Sequence, residues 1–305
     1  MQNEAYFLVR RRSTPQQTGV FQQPVTFTGK ATMRPRVGHI QFLNCLPLYH
    51  MLVKKGLLLN IDLYKDTPAA LCERLLAGQL DISPVPSIEF ARHASELLLL
   101  PGIAVSSRGP VMSIVLVSKV PLNQLNGCTV ALANNSRTSQ VLTRLVLTYH
   151  YKVHPVYFES PPDLAEMFRE ADAALLIGDD ALRIVGAPNS HHIYDLGREW
   201  TAMTGHNMVY ALWAVRRDFA EKHPAAVRGV QQAFQTSRQE SIDGIDAIAR
   251  DIARWEPFSA EFLKKYFETL QFDFEHDLQQ GLVHFYELAK KIDSLKKVPE
   301  LAFWE

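Results

Sequence analysis

The sequence predicts an α/β protein with two lobes and a ligand cleft between them. Strand-like and helix-like segments alternate up to residue 119, which is typical of a mainly parallel sheet covered by helices on both faces. Two strongly apolar strand-like segments, 111–119 and 208–215, bracket a central α/β block. After residue 217 the apolar residues follow helical spacing. A block that the chain enters and leaves through two extended strands indicates a hinged two-lobe binding fold.

The expected domain organisation follows from those bracketing strands. Residues 33–118 together with 214–305 are predicted to form a discontinuous lobe I, and residues 119–213 to form lobe II. Residues 1–32 are polar, so they cannot bury enough apolar surface to offset the entropy of ordering them. We expect them to be a disordered extension, with Met33 as an alternative start of the native chain.

Composition excludes several classes of function. The 32 Lys and Arg residues equal the 32 Asp and Glu residues, and no basic stripe with interleaved aromatic residues indicates nucleic-acid binding. The three cysteines form no CxxC pair, so we expect neither a disulfide framework nor a metal site. No apolar run has the length of a membrane span or of a signal peptide. The sequence therefore predicts a cytoplasmic protein without a membrane partner, and it leaves the oligomeric state open.

The first predicted βα unit contains a candidate anion site. A strand-like run at 37–43 is followed by Asn44, and an apolar pattern typical of a helix begins near Leu48. We expect Asn44 to cap this helix and Pro47 to lie in its first turn, where a missing N–H costs nothing. The N-terminus of a helix that follows a strand presents free N–H groups, which can bind a carboxylate or phosphate. The alternative reading is an ordinary capped turn.

Further polar turns follow other predicted strands. In α/β sheets the ligand binds beyond the carboxyl ends of the strands. On one wall of the cleft we therefore expect Asn44, Ser87 and the Ser106–Ser107 turn. On the other wall we expect the donor-rich start of a helix at 135–139 and the turn at Gly178 and Asp179.

Several stretches together resemble one enzyme family in the same order along the chain. They are FLNCLPLYH, GQLDISPVPSIEFARH, SSRGPVMSIVLVSKVPL, NNSRTSQVLTRLVL, ALLIGDDAL and YDLGREWTAMTG followed by ALWAVRR. These motifs are similar to those of the chorismate dehydratases of the futalosine route to menaquinone, and the resemblance covers residue 36 to the C-terminus. It implies a type II periplasmic-binding-protein-like fold. It also implies dehydration of chorismate to 3-[(1-carboxyvinyl)oxy]benzoate, with chorismate as the small-molecule partner and no cofactor.

The resemblance and the turns together give a set of expected site residues. The expected catalytic residues are Asn44, Ser106 and Ser107. The expected substrate-binding residues are Ser87, Asn135, Ser136, Thr138, Ser139, Gly178 and Asp179. Arg108 departs from the Asp or small polar residue expected at its position.

The base that removes the proton stays open between two candidates. One is Asp179, and the other, slightly favoured, is the enolpyruvyl carboxylate of the substrate itself. His39 is interpreted as a packed strand residue.

Two alternative functions remain at this point. The first is the sibling enzyme of the same fold, a 1,4-dihydroxy-6-naphthoate synthase, in which we would expect a histidine base in the cleft. The second is a non-catalytic protein that binds a small anion. Such a receptor would need an export signal or a partner domain, and neither is visible in the sequence.

Overall fold

The computed structural model describes residues 33–54, 61–188 and 190–305. The expected disordered extension at 1–32 lies outside these residues.

The first lobe is built on a six-stranded sheet. Its strands are β1 (Arg36–Ile40), β2 (Asp62–Asp66), β3 (Ile82–Pro86), β4 (Leu97–Ser107), β10 (Met208–Arg216) and β11 (Leu270–Gln271). Their order across the sheet is β11-β4-β10-β3-β1-β2. β1 runs parallel to β2 and β3, whereas β10 pairs antiparallel with β3 and β4. The expectation of a mainly parallel sheet is therefore wrong for the half of the sheet that contains β10, β4 and β11.

The second lobe is built on a five-stranded sheet. Its strands are β5 (Ile114–Ser118), β6 (Thr129–Ala133), β7 (Val156–Ser160), β8 (Ala173–Ile177) and β9 (His192–Asp195). The order is β7-β6-β8-β5-β9, with β6 parallel to β7 and β8 and β5 antiparallel to β8 and β9. Five buried apolar residues in β8, AALLI, explain its central position.

Helices cover both sheets. Their bounds are α1 (Leu46–Lys54), α2 (Pro68–Leu76), α3 (Ser87–Arg92), α4 (Arg137–Leu145), α5 (Leu164–Glu170), α6 (Gly178–Val185), α7 (Leu196–Thr204), α8 (Arg217–Lys222), α9 (Pro224–Asp243), α10 (Ile245–Ile252), α11 (Ala260–Thr269) and α12 (His276–Lys291). Short 3-10 turns lie at Leu43–Cys45 and Leu122–Gln124, and a π turn at Val146–His150 extends α4. The segment from Arg217 to Lys291 consists of helices α8 to α12, the short strand β11 and the loops that join them, so it is mainly helical, as expected.

Local sequence fixes the start of several helices. The Thr67 hydroxyl accepts from Ala70 N at 3.3 Å, and Pro68 follows as the first residue of α2. Asp163 caps α5 and Ser259 caps α11 in the same way. Among the described helices, none combines the length with the apolar composition that a membrane crossing requires.

The chain changes sheet at two places. It leaves the first sheet after Ser107, enters the second at Ile114, and returns to the first at Met208. Sheet membership thus puts both changes of lobe earlier in the chain than expected: before β5 rather than at 118, and before β10 rather than at 213, which lies within β10. We propose these earlier positions as the lobe boundaries, with the helical segment after Arg217 completing lobe I.

One apolar core joins the two lobes. The largest cluster of buried side chains contains residues of both sheets, such as Leu212 of β10 and Leu132 of β6, and includes the fully buried Trp200 and Trp213. A second cluster, with Val117 and Met167, fills the other face of the second sheet. Replacing a buried tryptophan by alanine typically lowers the free energy of unfolding by about 3–5 kcal/mol. The shared core therefore stabilises the strands and helices that carry the cleft residues.

Candidate active site

A narrow cleft lies between the lobes at the ends of β1, β3, β6 and β8. It is lined by Ile40, Phe42, Asn44, Pro68, Pro86, Val105, Ser113, Ile114, Ser136, Ser139, Ile177, Gly178, Tyr210 and Ala211. Among the described residues no charged side chain belongs to this lining, so its polar character comes from one amide, a few hydroxyls and the backbone. The cavity volume is about 40 Å³, well below the roughly 300–1,000 Å³ of typical ligand pockets. The cleft in this structure is therefore smaller than a typical ligand pocket.

Asn44 presents an unpaired amide oxygen at this cleft. It lies inside the 3-10 turn Leu43–Cys45, and α1 begins only at Leu46. Its Oδ1 is buried and accepts no hydrogen bond from the described residues. The expected cap is therefore wrong, because the 3-10 turn puts Asn44 ahead of the helix and leaves its amide oxygen without a backbone partner. Pro47 does lie in the first turn of α1, as expected.

Ser113 lies in the lining of the cleft and was not among the residues expected from the sequence. It follows Met112, whose φ of 63° is rare for a residue with a side chain. The Asp195 carboxylate holds this turn, because it accepts from Val111 N at 3.0 Å and from Met112 N at 2.6 Å. Strained backbone of this kind is concentrated at functional sites. The sequence carries a weak signal for the turn in Gly109–Pro110, but none for the contribution of Asp195.

The N-terminus of α4 supplies donors from the second lobe. Ser136 and Ser139 line the cleft, and their hydroxyls are 2.8 Å apart in a hydrogen bond. The Ser136 side chain makes no hydrogen bond to the N–H groups of the first turn, so it does not cap α4. The neighbouring Asn135 has a buried Oδ1 with no partner among the described residues. First-turn N–H groups and hydroxyls in this arrangement can bind a carboxylate.

Gly178 and Asp179 connect the two lobes beside the cleft. The Asp179 Oδ1 accepts from the backbone N–H of Leu43 at 3.0 Å. Burial raises the pKa of Asp179, and the hydrogen bond from Leu43 lowers it, with a raised pKa as the net result. Gly178 has a φ of +62°, and a Cβ there would lie 2.9 Å from the ring of Phe42. Only glycine allows this ring to approach the second lobe.

Ser87 and Thr138 form a second contact between the lobes. Their hydroxyl oxygens are 3.3 Å apart, and the Thr138 hydroxyl also accepts from Ile88 N at 3.3 Å. Ser87 in addition donates to the carbonyl of Val209 at 2.9 Å. Both side chains are buried, and neither lines the cleft. The structure therefore brings them next to the site rather than into it.

Ser106 and Ser107 lie inside β4 and not in a turn. Their backbones pair with Val209 and Met208 of β10, which the local sequence could not indicate. The Ser106 hydroxyl donates to the carbonyl of Gln271, and the Ser107 hydroxyl donates to the carbonyl of Gly109 at 2.9 Å. Both side chains are fully buried, and the part of β4 that reaches the cleft is Val105. The expected turn is wrong, and the structure does not bring these two hydroxyls into the cleft.

His39 and Arg108 lie away from the cleft lining. His39 stacks on Tyr49 with ring centroids 3.7 Å apart, and burial together with the charge of Lys65 lowers its pKa to about 4. Arg108 donates to Gln271 Oε1 at 2.9 Å and to Asp277 Oδ2 at 3.2 Å. Within the described part of the chain, no group of three or more His, Cys, Asp or Glu side chains could hold a metal ion.

Comparison with known proteins identifies the family of this chain. Residues 35–291 match the family model described as menaquinone biosynthesis. The chain belongs to the menaquinone biosynthesis family. A relative within the curated proteins is the chorismate dehydratase of Thermus thermophilus, which is 30% identical over 271 residues, 84% of this chain and 95% of the relative. The family resemblance expected from the sequence motifs is confirmed.

Solved structures show the same fold for this family member. Protein AF1704 from Archaeoglobus fulgidus matches with a TM-score of 0.69 at 17% identity, over 87% of this chain and 100% of that chain. The alkanesulfonate-binding protein SsuA from Xanthomonas axonopodis pv. citri, bound to MOPS, matches with a TM-score of 0.63 at 16% identity, over 90% and 98% of the two chains. The Candida albicans CA3427 product, which exhibits the generic periplasmic binding protein fold, matches with a TM-score of 0.60 at 14% identity, over 88% and 92%. The predicted two-lobe periplasmic-binding-protein-like fold is confirmed.

Proposed function

We propose that this protein is a cytoplasmic chorismate dehydratase of the futalosine route to menaquinone, and that it acts without a cofactor. It converts chorismate to 3-[(1-carboxyvinyl)oxy]benzoate and water in the cleft between the lobes. Membership of the menaquinone biosynthesis family and the similarity to a chorismate dehydratase along nearly its full length support this assignment.

The observation that carries the proposal is the chemistry of the cleft lining. Its polar groups are the Asn44 amide and the hydroxyls of Ser113, Ser136 and Ser139, set among apolar side chains. These groups and the first-turn N–H groups of α4 can bind two carboxylates through hydrogen bonds. Chorismate has two carboxylates, one ring hydroxyl and an enol ether on a six-membered ring, which suits a mainly apolar cleft with polar groups on both walls.

The absence of a side-chain base from this lining supports proton removal by the substrate. Dehydration takes the ring proton at the ether-bearing carbon together with the neighbouring hydroxyl, and the product ring is aromatic. No histidine, glutamate or aspartate lines the cleft among the described residues. We therefore favour the enolpyruvyl carboxylate of chorismate as the base. The lack of a cleft histidine also argues against the sibling naphthoate synthase, for which a histidine base was expected.

Each polar residue of the cleft then has a defined task. Ser136 and Ser139, with Asn135 and the N–H groups of α4, bind one carboxylate. The NH2 group of the Asn44 amide donates to the enolpyruvyl carboxylate and orients it towards the ring proton. Ser113 donates a hydrogen bond to the departing hydroxyl, where negative charge develops in the transition state.

The two contacts between the lobes suit a cycle of opening and closure. The hydrogen bond from Leu43 to Asp179 and the Ser87–Thr138 contact both cross the cleft, so both must break when the lobes separate. Closure over the substrate would exclude water from the reacting atoms. In this proposal Gly178, Asp179, Ser87 and Thr138 support the closed conformation, and Ser106 and Ser107 support the strand behind it.

Incubation of the purified protein with chorismate tests the function. The reaction contains a metal chelator and no added cofactor, and products are followed by absorbance and by mass spectrometry. The expected product is lighter than chorismate by one water and has the spectrum of a substituted benzoate. A sample without protein corrects for spontaneous decomposition. Chorismate that binds but remains unchanged would identify a binding protein and would contradict the proposal.

A further inference from the structure

A second cavity lies beside β11, apart from the cleft. It is bordered by α9, α10, α11 and the residues of β11 and the loop that follows it. Its volume is about 430 Å³, within the roughly 300–1,000 Å³ of typical ligand pockets. Among the described residues, none lines both this cavity and the cleft. The cavity is therefore a separate candidate site, and nothing in the proposed function uses it.

Two polar side chains of this lining, Arg238 and Asp273, each have an atom without a hydrogen-bond partner. Arg238 Nε and Asp273 Oδ1 are buried and make no hydrogen bond to any described residue. Arg238 Nη1 donates to the carbonyl of Gly102 at 3.3 Å, which holds the guanidinium and leaves its Nε edge for another acceptor. Unpaired buried groups are unfavourable and call for an explanation. A donor and an acceptor left open in one cavity indicate a ligand that supplies both an acceptor and a donor.

Arg108, which departs from the residue expected at its position, holds one wall of this cavity. Its Nη1 donates to Gln271 Oε1 at 2.9 Å, and its Nη2 lies 3.6 Å from Asp273 Oδ2. Gln271 and Asp273 both belong to the lining. The Asp273 side chain is 21% exposed, so a half turn of its carboxylate exchanges the two oxygens and presents the unpaired one to a ligand.

The charge and the apolar surface of the lining narrow the class of ligand. Three acidic side chains, those of Glu268, Asp273 and Glu275, stand against the basic Arg238 among the described residues of the lining. This balance disfavours a dianion such as chorismate and favours a ligand that carries a positive group. The apolar part of the lining suits a hydrocarbon or aromatic body, and it consists of Pro47, Ile242, Ile245, Phe267, Leu270 and Phe272.

We propose that this cavity binds a free α-amino acid with an apolar side chain. The α-carboxylate accepts from the Nε edge of Arg238, because a guanidinium presents paired donors that match a carboxylate. The α-ammonium donates to Asp273, and the apolar side chain packs among the rings of Phe267 and Phe272. The role is independent of the proposed dehydratase function, since the site shares no described residue with the cleft.

Isothermal titration calorimetry of the full chain with L-phenylalanine and with L-leucine tests the proposal, in the absence of chorismate. We expect saturable binding at one site and a rise in Tm with each amino acid, because a ligand that binds the folded state stabilises it. Two analogues of L-phenylalanine separate its charged groups: 3-phenylpropionate lacks the ammonium, and 2-phenylethylamine lacks the carboxylate. Each should bind at least about tenfold more weakly, because each loses a charge-assisted hydrogen bond.

Substitution of Asp273 locates the ammonium, and Asp277 is its matched control. Asp273→Asn should weaken the binding of L-phenylalanine about ten- to a hundredfold. Asp277 also pairs with Arg108, at 3.2 Å, but does not line the cavity. Asp277→Asn should therefore leave the dissociation constant unchanged. The Tm of each variant without ligand is the control for folding.

Substitution of Arg238 locates the carboxylate, and Arg217 is its matched control. Arg217 Nε is likewise buried without a partner among the described residues, and Arg217 Nη2 donates to the carbonyl of Ala94 at 3.2 Å, outside this cavity. Arg238→Gln should weaken the binding of L-phenylalanine about ten- to a hundredfold. Arg217→Gln should leave it unchanged.

Four results would overturn the proposal. The first is no saturable heat and no shift in Tm with either amino acid. The second is 2-phenylethylamine that binds as tightly as L-phenylalanine, which would leave an amine site without a carboxylate contact. The third is equal weakening in Asp273→Asn and Asp277→Asn, which would show a general disturbance around Arg108. The fourth is displacement of the amino acid by chorismate in direct competition, which would put it in the cleft. A protein that leaves chorismate unchanged but binds L-phenylalanine would contradict the dehydratase function alone.

Discussion

Asn44 and the Ser106–Ser107 pair were expected to act together, yet the structure gives them opposite surroundings. The Asn44 amide oxygen is buried at the cleft and accepts no hydrogen bond from the described residues. The Ser107 hydroxyl is bonded to the Gly109 carbonyl and to the Tyr210 hydroxyl, both at 2.9 Å. Residue type alone identified polar groups near the site, but hydrogen bonding decides which of them is free for a ligand. We infer that Asn44 takes part in the chemistry, whereas Ser106 and Ser107 hold the strand in place.

The series of substitutions at Asn44 should give the largest effect. Loss of one preorganised donor commonly costs about 100- to 1,000-fold in turnover. Asn44→Asp should be worse than Asn44→Ser or Asn44→Ala, because it places a negative charge beside the substrate carboxylate. The measurement is kcat with chorismate for the three variants, with the Tm of each as the control for folding. Near-normal kcat in Asn44→Asp would remove Asn44 from the catalytic residues and contradict the contrast with Ser107.

The next largest effect is expected in binding, at the start of α4. Ser136→Ala should raise KM about ten- to a hundredfold, because a hydrogen bond to a charged carboxylate contributes about 1.5–3 kcal/mol. Turnover at saturating chorismate should change little. The matched control is Thr143→Val on the same helix, whose buried hydroxyl donates to the Ser139 carbonyl at 2.8 Å. If KM rose equally in both variants, a general disturbance of α4 would explain the result better than a carboxylate site.

A smaller effect is expected at Asp179, the acceptor that connects the lobes. Burial raises its pKa, so the folded protein binds this proton more tightly than the unfolded chain. The resulting stabilisation is present at pH below the unfolded pKa and is lost as the pH rises through the folded pKa. Asp179→Asn keeps the acceptor for Leu43 N–H without the buried charge. Its Tm should therefore exceed that of the wild type at neutral pH.

The Asp179→Asn variant also tests whether Asp179 is the base that removes the ring proton. The difference in Tm should narrow as the pH falls towards about 4, near the ordinary pKa of Asp, and thermal unfolding from pH 4 to 8 measures it. Because Asp179 does not line the cleft, kcat of Asp179→Asn should stay within a few-fold of wild type. A loss of turnover by orders of magnitude, with normal folding, would make Asp179 the base and contradict proton removal by the substrate.

Local sequence patterns predicted the features that depend on neighbouring residues. The strand and turn at 36–47 placed Asn44 at the cleft, and the polar start of α4 placed Ser136 and Ser139 on the opposite wall. The two-lobe fold followed from the two bracketing strands. Each strand, turn and helix start used here is encoded within about ten residues of the chain, where periodicity and turn chemistry are informative.

The features that the sequence could not predict depend on distant residues. Ser107 is held inside a strand because it pairs with Met208, far along the chain. Ser113 is at the cleft because Met112 adopts a positive φ that the Asp195 carboxylate stabilises. No local pattern records such tertiary contacts, so the identity of the free hydroxyls required the structure.

The central claim, that Asn44 acts on the substrate whereas the hydrogen-bonded Ser107 supports the strand, is tested most directly by Asn44→Ala and Ser107→Ala in one chorismate assay. Both kcat and Tm are measured on the same preparations. Asn44→Ala should lose about 100- to 1,000-fold in kcat with little change in Tm, because no hydrogen bond of its amide oxygen to the described residues is lost. Ser107→Ala should keep kcat within a few-fold and lose about 1–3 kcal/mol of stability. A large loss of turnover in Ser107→Ala with full stability, or normal turnover in Asn44→Ala, would contradict the claim.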